Sequence, residues 1–261
     1  MVPTFFFLGR EVPFYGLMIT CGVLAGGFAG YRLCARWGLS TDRFLIAGCY
    51  VFFFGMLGAK LLYIAVSLDQ IDFSRLTEPA YLNALLLGGF VFYGGVAGGM
   101  AGAALAARIH HIRVLSYLYL CVPCLPLIHA FGRVGCFCAG CCFGIPYDGP
   151  GAVVYRASFG APLGTPLFPV QLVEAAANLL IFLFLLLRLH RRGPGPAQVG
   201  WYLLLYAPMR FVLEFFRYDA VRGSLWLLST SQWISPLLFA AALALLFLSP
   251  RLPRFVPDSK K

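Results

Sequence analysis

The sequence predicts an all-α membrane protein: a bundle of about seven transmembrane helices, with the N-terminus outside and the C-terminus cytoplasmic. Three observations predict it. The 261 residues are 61% hydrophobic and only 11% charged, against about 25% charged in ordinary soluble domains. The apolar residues fall in runs of about 20, the length a helix rising 1.5 Å per residue needs to cross a hydrocarbon core of about 30 Å. Basic residues follow alternate runs, as orientation in a membrane requires.

In chain order the runs are Phe14–Tyr31, Phe44–Val66, Gly88–Ala107, Leu115–Phe131, Val170–Leu187, Trp201–Phe216 and Trp233–Leu248. The first is not expected to be a cleaved signal, because Arg10–Glu11 is no basic flank and no small-residue cleavage site follows. The third is modest in hydropathy because it is rich in Gly and Ala. Its Gly94, Gly98 and Gly102 recur every four residues, a spacing that lets helix backbones approach closely.

Arg32, Arg36 and Arg43 follow the first run. Arg108 and Arg113 follow the third, Arg188, Arg191 and Arg192 the fifth, and Arg251, Arg254, Lys260 and Lys261 the seventh. The loop after the second run instead carries Asp69, Asp72, Arg75 and Glu78. This alternation and an odd number of crossings give the same orientation. The net charge of +10 is therefore an orientation signal, and nucleic acid is not an expected partner. The chain reads as one polytopic domain, 1–261, with outer-face loops 67–87 and 139–169 and a mobile tail from Pro250.

Ionisable side chains inside spans cost roughly 2.5–3.5 kcal/mol each on insertion scales, so each needs a partner or a polar cavity. His129 and Arg133 lie four apart on the fourth run; Gln171, Glu174 and Asn178 share a face of the fifth; Arg210, Glu214 and Arg217 fall at i, i+4 and i+7 on the sixth. Lys60 and Tyr15 stand near the outer ends of the second and first. A salt-bridge ladder is the bland account of the sixth run. Three arginines facing only Glu174 and Glu214 leave a cationic surplus, and the guanidinium fork suits phosphate oxygens. At the outer surface of a bilayer the abundant phosphate belongs to lipid headgroups.

The segment His129–Gly144, HAFGRVGCFCAGCCFG, resembles the G-R-x-G-x-F-x-x-G signature of prolipoprotein diacylglyceryl transferases. Phe14–Met18 resembles that family's first-span tyrosine motif and Gly88–Gly95 its Gly-Gly…Gly-Gly segment. Pro169–Glu174 resembles its P-x-Q-L-Y-E stretch, Arg210–Arg217 its R-F-x-x-E-x-x-R helix, and Ser231–Ser235 the start of its last span. The motifs run in family order along the chain.

The resemblance implies a multi-pass enzyme of the bacterial inner membrane that moves the diacylglyceryl group of phosphatidylglycerol onto the lipobox cysteine of a preprolipoprotein peptide. A thioether forms and glycerol phosphate leaves. No cofactor and no metal is implied. Arg133, Arg210 and Arg217 would hold the departing phosphate, oriented by Glu174 and Glu214. Tyr15, Gly94, Gly95, Gly135, Cys136, Gly140 and Gln171 would line the substrate site. The acceptor thiol, with a free pKa near 8.5, needs a base. The family's His before the second Gly-Gly is replaced here by Tyr93, a poor base at pKa near 10. His129, with an ordinary pKa near 6.5, is the natural substitute, although a structural histidine bonded to a neighbouring helix is equally compatible.

A second departure is Cys136, Cys138, Cys141 and Cys142, where the family has an Asn- and Glu-bearing loop. Three readings stay open: packing thiols or outer-face disulfides; metal ligands, through Cys121-x2-Cys124 and Cys138-x2-Cys141; or a nucleophile serving another acceptor. Cys21, Cys34 and Cys49 read as small buried hydrophobes. A divergent transferase using a loop cysteine, or a non-catalytic transporter or redox scaffold, are the alternatives. Against a transporter, the chain carries no internal repeat.

Overall fold

A computed structural model describes residues 3–7, 9–218, 224–225 and 228–258. Lys260 and Lys261, two charges of the orientation argument, lie outside them. Nine α-helices are described: α1 (Phe14–Trp37), α2 (Thr41–Val66), α3 (Pro79–Leu87), α4 (Phe92–His110), α5 (Val114–Cys121), α6 (Cys124–Ala139), α7 (Val170–Arg192), α8 (Ala197–Glu214) and α9 (Thr230–Leu248). Every apolar run of the sequence overlaps at least one of these helices. Among the described residues four helices, α1, α2, α7 and α9, are long and apolar enough to cross a membrane, and α5 with α6 makes a fifth if that pair is one span. The pair is bent by 55°, because the chain between them holds Pro123 and α6 then carries Pro126, and proline interrupts the helical hydrogen-bond ladder. The run Leu115–Phe131 is thus two helices rather than one straight span.

The chain forms two compact units, the first comprising Met1–Leu33 and Leu118–Val256, the second Cys34–Tyr117 and Pro257–Lys261. In the second unit α2 and α4 cross along a glycine seam. A side chain at Gly94 would strike the backbone of Gly58, one at Gly98 the backbone of Phe54, and one at Gly102 the backbone of Tyr50. The four-residue glycine spacing is therefore a packing surface, and Gly94 is accounted for by it. Lys60 donates to Leu85 O at 2.6 Å, to Gly88 O and to Gly89 O at 3.1 Å, and stands over the rings of Tyr63 and Phe90. It satisfies carbonyls at the end of α3, which is how an ammonium group at this depth is tolerated.

The tail expected to be mobile is held at Asp258, the last described residue. The Asp258 carboxylate accepts from Ser40 N at 2.9 Å, Tyr117 Oη at 2.7 Å and Arg43 Nη1 at 3.0 Å, and Asp258 N donates to Gly38 O at 3.0 Å. One carboxylate meets the donors at the start of α2, where an anion is favoured. Burial alone would raise its pKa, but these hydrogen bonds and Arg43 bring it below the ordinary carboxylate value.

In the first unit α7 buries Val170, Gln171, Glu174, Ala175, Asn178, Ile181, Leu185 and Leu189, one stripe at helical spacing. Ile181 and Leu185 pack with Val122 and with Trp201, Tyr202, Leu205, Tyr206 and Met209 of α8. The segment 139–169 folds on a small core of Phe137, Tyr155, Ala161 and Leu167. It contains an antiparallel pair of strands, β3 (Val153–Val154) and β4 (Pro166–Leu167), while β1 (Thr4–Phe7) and β2 (Arg10–Pro13) form a hairpin before α1. The outward faces of the helices stay apolar: Phe28 is 67% exposed, Leu180 68% and Phe247 77%. Faces of that kind suit lipid rather than water.

Candidate active site

Helix α6 carries the centre of the site. His129 and Arg133 share a face one turn apart, and Arg133 Nε donates to His129 Nε2 at 3.2 Å. A guanidinium N–H can only donate, so Nε2 is the unprotonated nitrogen and the ring proton resides on Nδ1. His129 thus pairs with its own helix rather than with a neighbouring backbone, and its ring lies 5.6 Å from that of Tyr206. Arg133 Nη2 stands 3.0 Å from Glu174 Oε1 of α7, with His129 Nε2 at 3.6 Å from the same oxygen. The Glu174 side chain is 1% exposed, and its Oε2 accepts no hydrogen bond among the described residues. One turn on, Asn178 donates through Nδ2 to Glu174 O at 2.8 Å and leaves its Oδ1 buried without a donor.

On α8, Arg210 Nη2 lies 2.5 Å from Glu214 Oε2 and donates to Ser231 Oγ of α9 at 3.1 Å. Ser231 is in place because the preceding Ser229 opens α9 with a capping box to Gln232. Arg210 is 6% exposed, and its Nη1 is buried with no hydrogen-bond partner among the described residues. Orphaning a charged donor costs more than the 1–3 kcal/mol of a neutral one.

Arg217 differs from its expected place. α8 ends at Glu214, so Arg217 is not the third rung of a helical ladder. Residues 216–218 instead run antiparallel to the signature loop: Ile145 N donates to Phe216 O at 3.0 Å, Tyr218 N to Phe143 O at 3.1 Å, and Gly144 pairs with Arg217. Gly144 permits this, since a side chain there would strike the carbonyls of Phe168 and Phe216. The pairing brings Arg217 within electrostatic range of Arg133 and Cys142, while Arg210 is within range of His129.

The cysteine loop turns at Gly140, whose φ of +68° is natural only for glycine. Gly140 caps α6, and a side chain there would collide with Ser158. The reversal folds Cys141 and Cys142 back on Cys136, so that the three sulfurs lie within 4.8 Å of one another. None of the nine cysteines is disulfide-bonded. The spacing Cys138-x2-Cys141, one of the readings left open, is not the grouping found: among the described residues the thiol cluster takes Cys136 and not Cys138, which stands two positions on along the helix. Gln171 Nε2 donates to Cys141 O at 2.9 Å and to Tyr155 Oη at 3.4 Å, and Tyr155 Oη donates to Phe137 O at 3.1 Å. Burial raises the Tyr155 phenol to about 12, which keeps it a donor. Gln171 therefore anchors the loop.

Tyr15 of α1 flanks the same centre. α1 meets α6 at Gly135, where a side chain would stand 3.1 Å from Met18 Cβ and 3.3 Å from Tyr15 Cδ2. Tyr15 is within electrostatic range of Arg133 and of all three clustered thiols.

The first unit thus brings together Tyr15, His129, Arg133, Gly135, Cys136, Gly140, Gln171, Glu174, Arg210, Glu214 and Arg217. The comparison with known sequences decides the family. The sequence profile described as prolipoprotein diacylglyceryl transferase matches residues 3–248. The chain belongs to the prolipoprotein diacylglyceryl transferase family. Its relatives include the phosphatidylglycerol–prolipoprotein diacylglyceryl transferase 2 of Clostridium perfringens, 33% identical over 87% of each chain. That of Clostridium tetani is 35% identical over 90% of this chain and 92% of its own. That of Geobacter sulfurreducens is 31% identical over 82% of each.

For this diacylglyceryl transferase family member, Tyr93, Gly94 and Gly95 belong to the second unit. Tyr93 stacks edge-on against Phe92 at 5.8 Å and is half exposed. The sequence reading missed Ser231 as a partner of Arg210 and missed the grouping of Cys141 and Cys142 with Cys136. Ser231 could have been found as a hydroxyl in the first turn of the last span. The cysteine grouping depends on the reversal at Gly140.

Proposed function

We propose that the chain transfers the diacylglyceryl group of phosphatidylglycerol to the lipobox cysteine of preprolipoproteins, at the outer leaflet of the bacterial inner membrane. A carbon–sulfur bond forms at the glyceryl carbon as its bond to the phosphate oxygen breaks, and glycerol phosphate departs with the electron pair. The observation that carries this reading is Arg210 Nη1, a buried cationic donor without an acceptor among the described residues. A phosphate oxygen is the acceptor that a guanidinium fork fits best. The charge gathering on the leaving phosphate would then meet fixed donors in a water-poor site, where electrostatic stabilisation is strongest.

In this account Arg133, Arg210 and Arg217 clamp the phosphate, and Glu174 and Glu214 hold two of the guanidinium groups in register. The nitrogen nearest the carboxylate is Nη2 in both pairs, and Arg210 keeps Nη1 as a further donor. Tyr15 and Gly135 flank the headgroup, while Gln171 acts through the loop of Cys136 and Gly140. Glu174 Oε2 and Asn178 Oδ1, buried acceptors one turn apart, suit hydroxyl groups of the glycerol headgroup. The membrane topology we propose has seven crossings, α1, α2, α4, α5 with α6, α7, α8 and α9, with the N-terminus outside.

Proton removal from the acceptor thiol falls to His129 or Tyr93 in the family-based reading. With its Nε2 lone pair taken by Arg133, His129 serves as a positioning residue for Arg133. The test is turnover: vesicles holding the protein, phosphatidylglycerol and a lipobox peptide yield a thioether-lipidated peptide. Absence of product beside an active relative rejects the reading.

A further inference from the structure

We propose that Cys136, Cys141 and Cys142 bind a soft divalent cation, Zn²⁺ by preference, through three thiolates, leaving the fourth coordination position to the acceptor thiol. The acceptor's identity rests on the transferase reading above; the metal site itself does not.

Three thiols are brought together by local geometry rather than by accident of sequence. Gly140 reverses the chain after α6, and Cys142 has φ +56°, one of two positive values among described non-glycine residues. Neighbouring side chains in extended backbone point to opposite sides. The left-handed turn at Cys142 breaks that alternation and lets Cys141 and Cys142 face Cys136. Backbone strain of this kind gathers at functional sites. The three sulfurs lie within 4.8 Å of one another, and a modest inward shift of the side chains gives the roughly 3.8 Å that tetrahedral zinc with bonds near 2.3 Å requires.

The surroundings fit in charge. Three thiolates on a divalent cation leave one net negative charge, and both Arg133 and Arg217 lie within electrostatic range of Cys142. A d10 cation with three protein ligands is the usual form of a catalytic site with an open position, whereas structural sites are closed by four. Thiolate ligands select zinc over the hard cations of an aqueous surface.

The chemistry fits a need that His129 does not meet, since its Nε2 is engaged by Arg133. A thiol entering the fourth position loses its proton to solvent and binds as thiolate. Its sulfur lone pair then forms the bond to the glyceryl carbon. The carbon–oxygen bond breaks toward the phosphate, giving glycerol phosphate dianion and a neutral thioether, a poorer ligand that leaves the metal. Charge balances at each step, and the metal keeps its oxidation state.

The experiment uses the full chain, purified in detergent under reducing conditions. Metal content is measured first, then Co²⁺ is substituted and its visible spectrum recorded. We expect about one zinc per chain, a fall of roughly tenfold or more in C141S and C142S, and no fall in C49S. The Co²⁺ bands should shift on adding a lipobox peptide with Cys and not with Ser, whether or not turnover occurs. If the wild-type protein takes up neither ion, or if the three sulfurs are found as a disulfide and one thiol, the site is refuted. Co²⁺ bands indifferent to the Cys peptide overturn the open-position assignment. Should a serine variant fail to fold, the wild-type peptide response still decides. Failure of the transferase reading is seen separately, as zinc-loaded protein that shifts its Co²⁺ bands with peptide yet yields no thioether.

Discussion

Arg133 and Glu174 join α6 to α7 through a contact of 3.0 Å between Nη2 and Oε1, with the carboxylate almost wholly withdrawn from solvent. A pair held at this depth is costly to break, because removal of one partner strands the other. Glu174→Ala should destabilise the protein by about 3–5 kcal/mol. Glu174→Ala with Arg133→Ala should recover much of that stability while turnover stays absent. Thermal unfolding in detergent, measured beside the lipid-transfer assay, separates the two effects.

Arg210 offers a sharper variant, since its charge can be kept while its fork is removed. Arg210→Lys preserves a cation for Glu214 but loses the geometry that a phosphate needs. Turnover should fall by roughly 100-fold or more, as for loss of one transition-state donor, with little change in thermal midpoint. Equal turnover in wild type and Arg210→Lys would mean that point charge alone suffices.

The glycine seam between α2 and α4 predicts steric failure. Gly98→Val would drive a branched side chain against the backbone of Phe54 and Gly58 and should cost about 1–3 kcal/mol, the usual penalty of overpacking. Gly27→Ala, where nothing lies within 4 Å, should leave the unfolding temperature unchanged.

The tail anchor responds to acid. Asp258 has a folded-state pKa below its ordinary value of about 3.9. Its contribution is complete above the unfolded pKa and is lost as pH falls through the folded one. Proteolysis of the C-terminal segment should be slow at neutral pH and accelerate only below the ordinary carboxylate range. Asp258→Asn should give the fast rate already at pH 7.

Much of this architecture is legible in the sequence because lipid allows few solutions. Long apolar runs must be helices, so α1, α2, α4 and α7 to α9 appear near their observed bounds. Arg133, Glu174 and Arg210 stand out because charge is rare at such depth. What escapes is set by contacts distant in sequence or by backbone turns. The bend of α5 against α6 was signalled by Pro123, yet its neighbours are apolar enough to read as one span. Asp258 meets Ser40, 218 positions away, which no periodicity reveals. Arg217 leaves the helix for a pairing with Gly144, and Cys136 meets Cys141 and Cys142 only because Gly140 adopts a left-handed conformation.

The central claim is that buried guanidinium groups hold the departing headgroup phosphate, and the direct measurement is single-turnover lipid transfer in phosphatidylglycerol vesicles. Wild type should convert a lipobox peptide to its thioether, with Arg133→Ala and Arg210→Ala each forming none while still binding the peptide. Full conversion by folded Arg210→Ala would contradict the account.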